Sequence, residues 1–381
     1  MKLAGETHAV DGVPAEPCLL AKDATDVRRW HVAGWVTANG DIDWPRLLAE
    51  CGHFEVPVAH CSLAAEGAVG RQTAAGSSGG GPSSPRSQVR PASSTTMTLA
   101  DFRRTQWRAP GWPKPYLKDW HACLDLKDTQ KLFITPPLFR DDFLNDWLST
   151  KPGSSDYRFV YIGPAGSRTG VHTDVLHSNS WSAQLSGTKR WLLLPPEHAH
   201  LVEDANGICN VDAFPDRVAS ELCREVVQRP GEIIFIPGGW YHAVENIDDS
   251  LSLNVNWIDS ASLERSWNHL LKEYRIAEHY IEDLRPLTSP AEFETLVDRN
   301  AKLQCGMSKA DLIEMVRVGM NMDMDMGMDM GMDMNTCPDP HEPPDHRLIQ
   351  RRRAYGNRFL AWSQRGAGRQ DDNARRETMM S

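Results

Sequence analysis

Apolar residues recur along this chain with two different periods. Over 261–318 the period is helical: Leu263, Trp267, Leu270, Leu271 and Tyr274 fall three or four apart and make one stripe. Further on, Ser308 and Asp311 have the spacing of a capping box ahead of Leu312, Ile313, Met315 and Val316. Between 157 and 257 the apolar runs are short and rich in β-branched, aromatic or leucine residues: 157–162 (YRFVYI), 190–194 (RWLLL), 232–236 (EIIFI) and 251–257 (LSLNVNW). Gly and Pro bound them at Gly163–Pro164, Pro195–Pro196, Pro230–Gly231 and Pro237–Gly238–Gly239. Short strands punctuated in this way predict an antiparallel sandwich or barrel, with helices following it.

Other stretches fit neither period. Residues 66–96, with AAGSSGGGPSSPRSQ at their centre, contain few large apolar side chains. They cannot bury enough surface to offset ordering entropy, so a disordered insertion is expected there. Residues 1–15 are expected to lack order, as is the low-complexity tail 319–381. In that tail, 320–334 alternates Met with Asp, Gly or Asn and holds eight of the chain's fourteen methionines. A soft-metal site of thioethers is one reading, and a flexible repeat is the plainer one. From Arg347 onward the chain carries nine arginines, including Arg351, Arg352 and Arg353. An RNA contact or nuclear address competes there with a solvated basic tail, which is the reading adopted. The folded parts are then 16–275, a β-rich domain, and 276–318, a set of helices.

Composition narrows the class. The formal charge of −10 argues against a protein that coats nucleic acid, so the core is not expected to bind it. No run of 18 apolar residues suggests a membrane span, and the opening residues lack the order of a secretory signal. Eight cysteines without a Cys-x-x-Cys pair read as reduced thiols. A cytoplasmic protein is expected, with the nucleus left open by the Arg-rich tail.

The candidate chemistry lies in the β-rich block. His172 and Asp174 stand two apart, and on an extended strand such side chains share a face. His242 follows an apolar run, RPGEIIFIPGGWYH, broken by Pro237–Gly238–Gly239. Two imidazoles and one carboxylate fill one face of an octahedron, a set that suits ferrous iron with open positions for a chelating keto acid and dioxygen. Taken alone, a His-x-Asp pair is a weak signal; the distal histidine strengthens it. A keto acid such as 2-oxoglutarate also needs a cation for its far carboxylate. Lys189, flanked by Leu185, Trp191 and Leu192, is the candidate, with Thr169 adding a hydroxyl. Trp181, Trp191, Trp240 and Tyr241 read equally well as pocket wall or as core.

The stretches YIGPAGSRTGVHTDV, WSAQLSGTKRWLLLPP, RPGEIIFIPGGWYHAVEN and LSLNVNWI, in that order, resemble the JmjC (jumonji) family of 2-oxoglutarate oxygenases. The resemblance implies a mainly β fold with flanking helices, a double-stranded β-helix or jelly-roll barrel. It also implies Fe(II) at His172, Asp174 and His242, and 2-oxoglutarate at Lys189 and Thr169, with Asn254 or Asn256 lining the same pocket. Segments 17–20, 35–61, 97–107 and 116–121 (YLKDWH) look like one branch of the family, whose protein substrate is a lysine of eukaryotic release factor one. That branch carries a helix ahead of 17–20 that is not evident here, so a shortened N-terminus is expected. A lysine demethylase, a cupin-type isomerase and a non-catalytic scaffold stay open as alternatives. An oligomer through the C-terminal helices also stays open.

Overall fold

Eight strands turn the segment from Arg158 to Trp257 into a jelly roll. The computed structural model describes residues 9–10, 13–20, 27–60, 94–111, 114–126, 132–151, 153–203, 209, 221–325 and 346–378. Arg158–Gly163, Asn179–Ser186, Ile233–Ile236 and Ser250–Trp257 lie in a larger antiparallel sheet. Arg168–His172, Lys189–Leu194, Arg224–Gln228 and Tyr241–Asn246 form a smaller one facing it. The chain alternates between the two sheets, apart from the step that leaves Lys189–Leu194 and Arg224–Gln228 paired in the smaller one. This is the expected double-stranded β-helix. Upstream strands widen the larger sheet: Cys18–Leu20 pairs with Ile233–Ile236, and Pro115–Trp120, Glu55–His60 and Ser94–Thr98 continue it beyond Arg158–Gly163.

Side-chain alternation in the larger sheet explains how the barrel is packed. In Asn179–Ser186 the odd positions Trp181, Ala183 and Leu185 are apolar, and in Ser250–Trp257 so are Leu251, Leu253, Val255 and Trp257. These pack outward, under the N-terminal segments, in a core that includes Trp30, Trp35, Phe133 and Phe139. The even positions Ser180, Ser182 and Gln184 lie opposite Asn256, Asn254 and Ser252 on the neighbouring strand. The inner face of this part of the sheet is therefore polar. Apolar filling of the barrel is supplied from its other walls by Trp191, Leu193, Val226, Ile234, Ile236 and Val244.

Helices cover one end of the barrel. Leu263–Tyr280 buries Leu263, Trp267, Leu270 and Tyr274, four residues of the predicted stripe. It packs with Phe143–Ser149, Pro290–Cys305 and Lys309–Asp325 in a second core. The capping box before Lys309 is present: the Ser308 N–H donates to Asp311 Oδ2 at 2.8 Å and the Asp311 N–H to Ser308 Oγ at 3.1 Å.

Three expectations of disorder need correction. Ala9–Val10 pairs with Val13–Pro14 inside 1–15. Ser94–Thr98 is a strand, so the expected insertion overran by three residues; its remainder, 66–93, lies outside the described residues. The third correction is the largest. Within 319–381, helix Lys309–Asp325 continues past 319, and His346–Thr378 is a helix that folds back onto the second core through Phe359. Gly356 permits the approach, because a Cβ there would stand 2.3 Å from Met320 Sδ. The part of the Met repeat from 326 lies outside the described residues.

Nor is the arginine run a solvated tail. Arg352 is 3% exposed, and its Nε donates to Asp141 Oδ1 at 2.9 Å while Nη2 lies 2.9 Å from Asp146 Oδ2. Spacing could not disclose this, because the acids lie about two hundred residues upstream. Removing one member of a buried ion pair leaves the others uncompensated, at about 3–5 kcal/mol. Arg352→Ala should lower unfolding free energy by about that amount in urea titration, whereas the neighbouring Arg353→Ala should change it by less than about 0.5 kcal/mol.

Candidate metal and co-substrate site

His172 ends the strand Arg168–His172 and His242 is the second residue of Tyr241–Asn246; the two are direct cross-strand partners. Their ring centroids stand 4.1 Å apart. Each Nδ1 faces a main-chain carbonyl two residues back, Gly170 O at 2.9 Å and Trp240 O at 3.2 Å. Protonated there, each ring keeps the Nε2 lone pair for a ligand. Asp174 follows in extended conformation, its Oδ2 3.9 Å from His242 Nε2 and accepting from Ser180 Oγ at 2.6 Å. One ligand atom from each of the three residues lies within 4.8 Å of the others, the geometry of a metal site. Burial, and after it the neighbouring His242, pushes the His172 pKa down to about 3, so the imidazole is in its neutral, ligating form near pH 7.

Two local distortions hold this arrangement. Opposite His242 and Val244 the register slips: His242 faces His172, but Val244 faces Thr169. One extra residue is thus inserted between Thr169 and His172. Residues three apart on a regular strand point to opposite faces, and the bulge turns both into the same pocket. After Asp174, Leu176 and His177 adopt φ of 54° and 47°. The His177 carbonyl accepts from Arg265 Nε at 3.2 Å, and a Cβ on Gly238 would come within 1.9 Å of it, so only glycine fits there. Backbone of this kind costs about 1–3 kcal/mol and persists where its surroundings over-determine it.

A pocket open to solvent lies beside the triad. Lys189 is 1% exposed, and its Nζ donates to Ser252 Oγ at 2.5 Å, with no carboxylate partner among the described residues. Burial, followed by the nearby charge of Lys118, pushes its pKa down to about 7. Thr169, Asn254 and Asn256 line the same pocket. Asn254 Oδ1 accepts from Ser182 Oγ at 2.8 Å and Ser252 Oγ at 3.2 Å; Asn256 Nδ2 donates to Ser178 Oγ at 3.3 Å. All seven residues singled out in the sequence therefore meet in one place.

The aromatic candidates divide. Trp191 lines the pocket, its ring 5.9 Å from His242 and its Nε1 donating to Gln228 Oε1 at 2.9 Å. Trp181 also borders it but packs mainly into the outer core against Trp30, Phe133 and Phe139. Trp240 and Tyr241 are not in the wall: Trp240 packs with Ile234 and Ile236, and Tyr241 donates to Glu203 Oε1 on the outer side of the smaller sheet. Ser180, Tyr161 and Lys118 in the pocket wall, and Ser252, which accepts from Lys189 Nζ, were not anticipated. The alternation of small polar with apolar residues in 179–186 and 250–257 is the signal that marks the two serines.

A jelly roll that presents two imidazoles and a carboxylate at its smaller sheet, with a buried cation in the same pocket, could hold one metal ion with an anionic ligand beside it. Residues 159–257 match the JmjC domain, described as a hydroxylase; this chain is a JmjC-domain protein. It is 34% identical over 291 residues to the 2-oxoglutarate and iron-dependent oxygenase JMJD4 of Danio rerio, covering 72% of this chain and 62% of that one. The Homo sapiens JMJD4 is 32% identical over 291 residues, with 72% and 63% covered. The arginine-specific demethylase JMJ20 of Arabidopsis thaliana is 40% identical over 218 residues, 51% of this chain and 46% of its own. The chain thus spans less than two thirds of the length of these relatives. Iron and 2-oxoglutarate, on which the JMJD4 oxygenases depend, fit the residues present: two Nε2 atoms, a carboxylate, and a buried ammonium with no carboxylate partner among the described residues.

That ammonium should leave a mark on stability. Donors left unsatisfied in the interior cost about 1–3 kcal/mol each. The folded pKa of about 7 lies below the ordinary 10.5, so between these values the unfolded chain binds more protons and stability climbs with pH. Below pH 7 the penalty is fully present. Urea titrations of metal-free protein should show wild-type stability rising from pH 7 towards 10, and Lys189→Met more stable at pH 7 by about 1–3 kcal/mol with that rise abolished.

Proposed function

We propose that this protein is an iron- and 2-oxoglutarate-dependent protein hydroxylase. One observation carries the reading: a fully buried ammonium, without a carboxylate partner among the described residues, shares a pocket with a His-Asp-His group of metal-ligand geometry. His172, Asp174 and His242 would hold the iron on one side. Bound iron, 2-oxoglutarate and dioxygen together supply the oxidising power that converts a substrate C–H to C–OH, with succinate and carbon dioxide as the other products. The chain's own residues do the rest. Lys189 pairs with the carboxylate farthest from the metal, and the hydroxyl of Thr169 donates to it. Ser180 holds Asp174 in one orientation through its 2.6 Å hydrogen bond. Asn254, whose Oδ1 is taken by two serines, offers Nδ2, while Asn256 is steadied by Asn145, whose Nδ2 donates to the Asn256 carbonyl at 2.9 Å. Trp191 and Val244 keep the metal side of the pocket dry.

The finer reading is that the target is a lysine side chain of eukaryotic release factor one. It is supported by the likeness over 72% of this chain to JMJD4 oxygenases and by the YLKDWH segment. A second reading, removal of a methyl group from arginine, is favoured by the Arabidopsis relative's name; hydroxylation of an N-methyl carbon releases formaldehyde by the same chemistry.

Protein loaded with ferrous iron, given 2-oxoglutarate, air and recombinant release factor, should form succinate and add one oxygen to a lysine, read by NMR and mass spectrometry. His172→Ala should lose bound iron and reduce both products at least about a hundredfold. Succinate with formaldehyde from a methylated arginine peptide, and no oxygen on the release factor, would select the demethylase. A folded, iron-loaded protein that makes no succinate with either substrate would overturn the oxygenase reading.

A further inference from the structure

The pocket holds a second ammonium besides Lys189. Lys118 sits in Pro115–Trp120, the strand that continues the larger sheet beyond Arg158–Gly163. Leu117 pairs with Ile162 and Trp120 with Val160, so Lys118 and Asp119 together stand opposite the single residue Tyr161. This is another bulge, and it is strained: Asp119 has φ of 59° without being glycine. Asp119 is engaged by Tyr161, whose hydroxyl donates to Oδ1 at 2.7 Å. Lys118 lines the pocket with its Nζ 6.0 Å from the Tyr161 ring centroid, and Lys189 Nζ lies 5.7 Å from the same centroid. Among the described residues neither lysine has a carboxylate partner. Two like charges on one aromatic ring, one aimed inward by a strained bulge, is an arrangement that needs an anion between or beside them.

We propose that Lys118 is a second anchor for the 2-oxoglutarate dianion, acting with Lys189 to set how tightly the co-substrate is held. The proposal rests on the oxygenase reading and extends it to a residue on a strand outside the eight of the jelly roll. Lys189 supplies the buried, direct ion pair. Lys118 is half-buried and lines the pocket, where its charge draws the dianion in and opposes its loss. The charge of Lys118 also contributes to the lowered pKa of Lys189, which places the two ammonium groups in each other's field. An entering dianion relieves that repulsion, so the two lysines act together on one ligand.

The test is calorimetric binding of 2-oxoglutarate to full-length protein loaded with Mn(II), which takes the place of iron without turnover. Metal content is measured on every sample. Among the described residues Lys118 makes no hydrogen bond, so Lys118→Met and the more polar Lys118→Gln should keep the fold, checked by thermal melting. Both variants should retain Mn(II) and bind 2-oxoglutarate about tenfold more weakly, with a flatter dependence of Kd on salt. Lys118→Arg should stay within about threefold of wild type. Metal-loaded Lys118→Met or Lys118→Gln with an unchanged Kd and salt slope would overturn the proposal while leaving the oxygenase reading intact. So would a defect confined to the KM of the protein substrate, which would put Lys118 on the target instead. Failure of metal-loaded wild type to bind 2-oxoglutarate would remove the oxygenase reading, and the proposal with it.

Discussion

A pocket that must hold a metal and a small dianion has to be polar, and that constraint shapes the whole barrel. Asn179–Ser186 and Ser250–Trp257 turn serine, glutamine and asparagine inward. The hydrophobic burial that stabilises the sheet must then be found on its outer side. The N-terminal segments meet this need. Trp30, Trp35, Trp120, Phe133 and Phe139 pack against Trp181, Phe235 and Trp257, and together they form the largest apolar core of the molecule. The elements upstream of the jelly roll are therefore part of what allows its interior to be wet. The strand that brings Lys118 to the pocket belongs to the same covering layer.

Precision in the site comes from irregular backbone placed on regular strands. Two adjacent strands put His172 and His242 face to face without any special device. The remaining groups need an exception to the alternation rule. The bulge between Thr169 and His172 brings a hydroxyl and an imidazole to one side, and the bulge opposite Tyr161 does the same for Lys118. The left-handed residues after Asp174 complete the set by returning the chain at once to Asn179 on the other sheet.

Much of this was legible in the sequence, for identifiable reasons. The jelly roll announced itself through short apolar runs closed by Gly and Pro, and the triad through a same-face pair plus a histidine just beyond a Pro-Gly-Gly break. Lys189 was readable because apolar neighbours surround it. What stayed hidden depends on register or on distance. No spacing rule places Thr169 on the face of His172, since in an unbroken strand it would be on the other. Nothing local distinguishes Trp191, which lines the pocket, from Trp240, which does not. The basic composition from Arg347 onward suggested solvent, yet Arg352 is buried, because its acidic partners lie on a different part of the chain.

That last contact also has a temporal side. The acids it neutralises, Asp141 and Asp146, precede the first strand of the jelly roll, whereas Arg352 follows the last one by nearly a hundred residues. During synthesis the metal ligands, the pocket lysines and both sheets emerge while these carboxylates still lack their counter-ion. The end of the barrel capped by Phe143–Ser149 can become fully compensated only once the helix His346–Thr378 has cleared the ribosome and docked. The barrel can therefore assemble while the chain is growing, but closing its helical cap waits for this later helix.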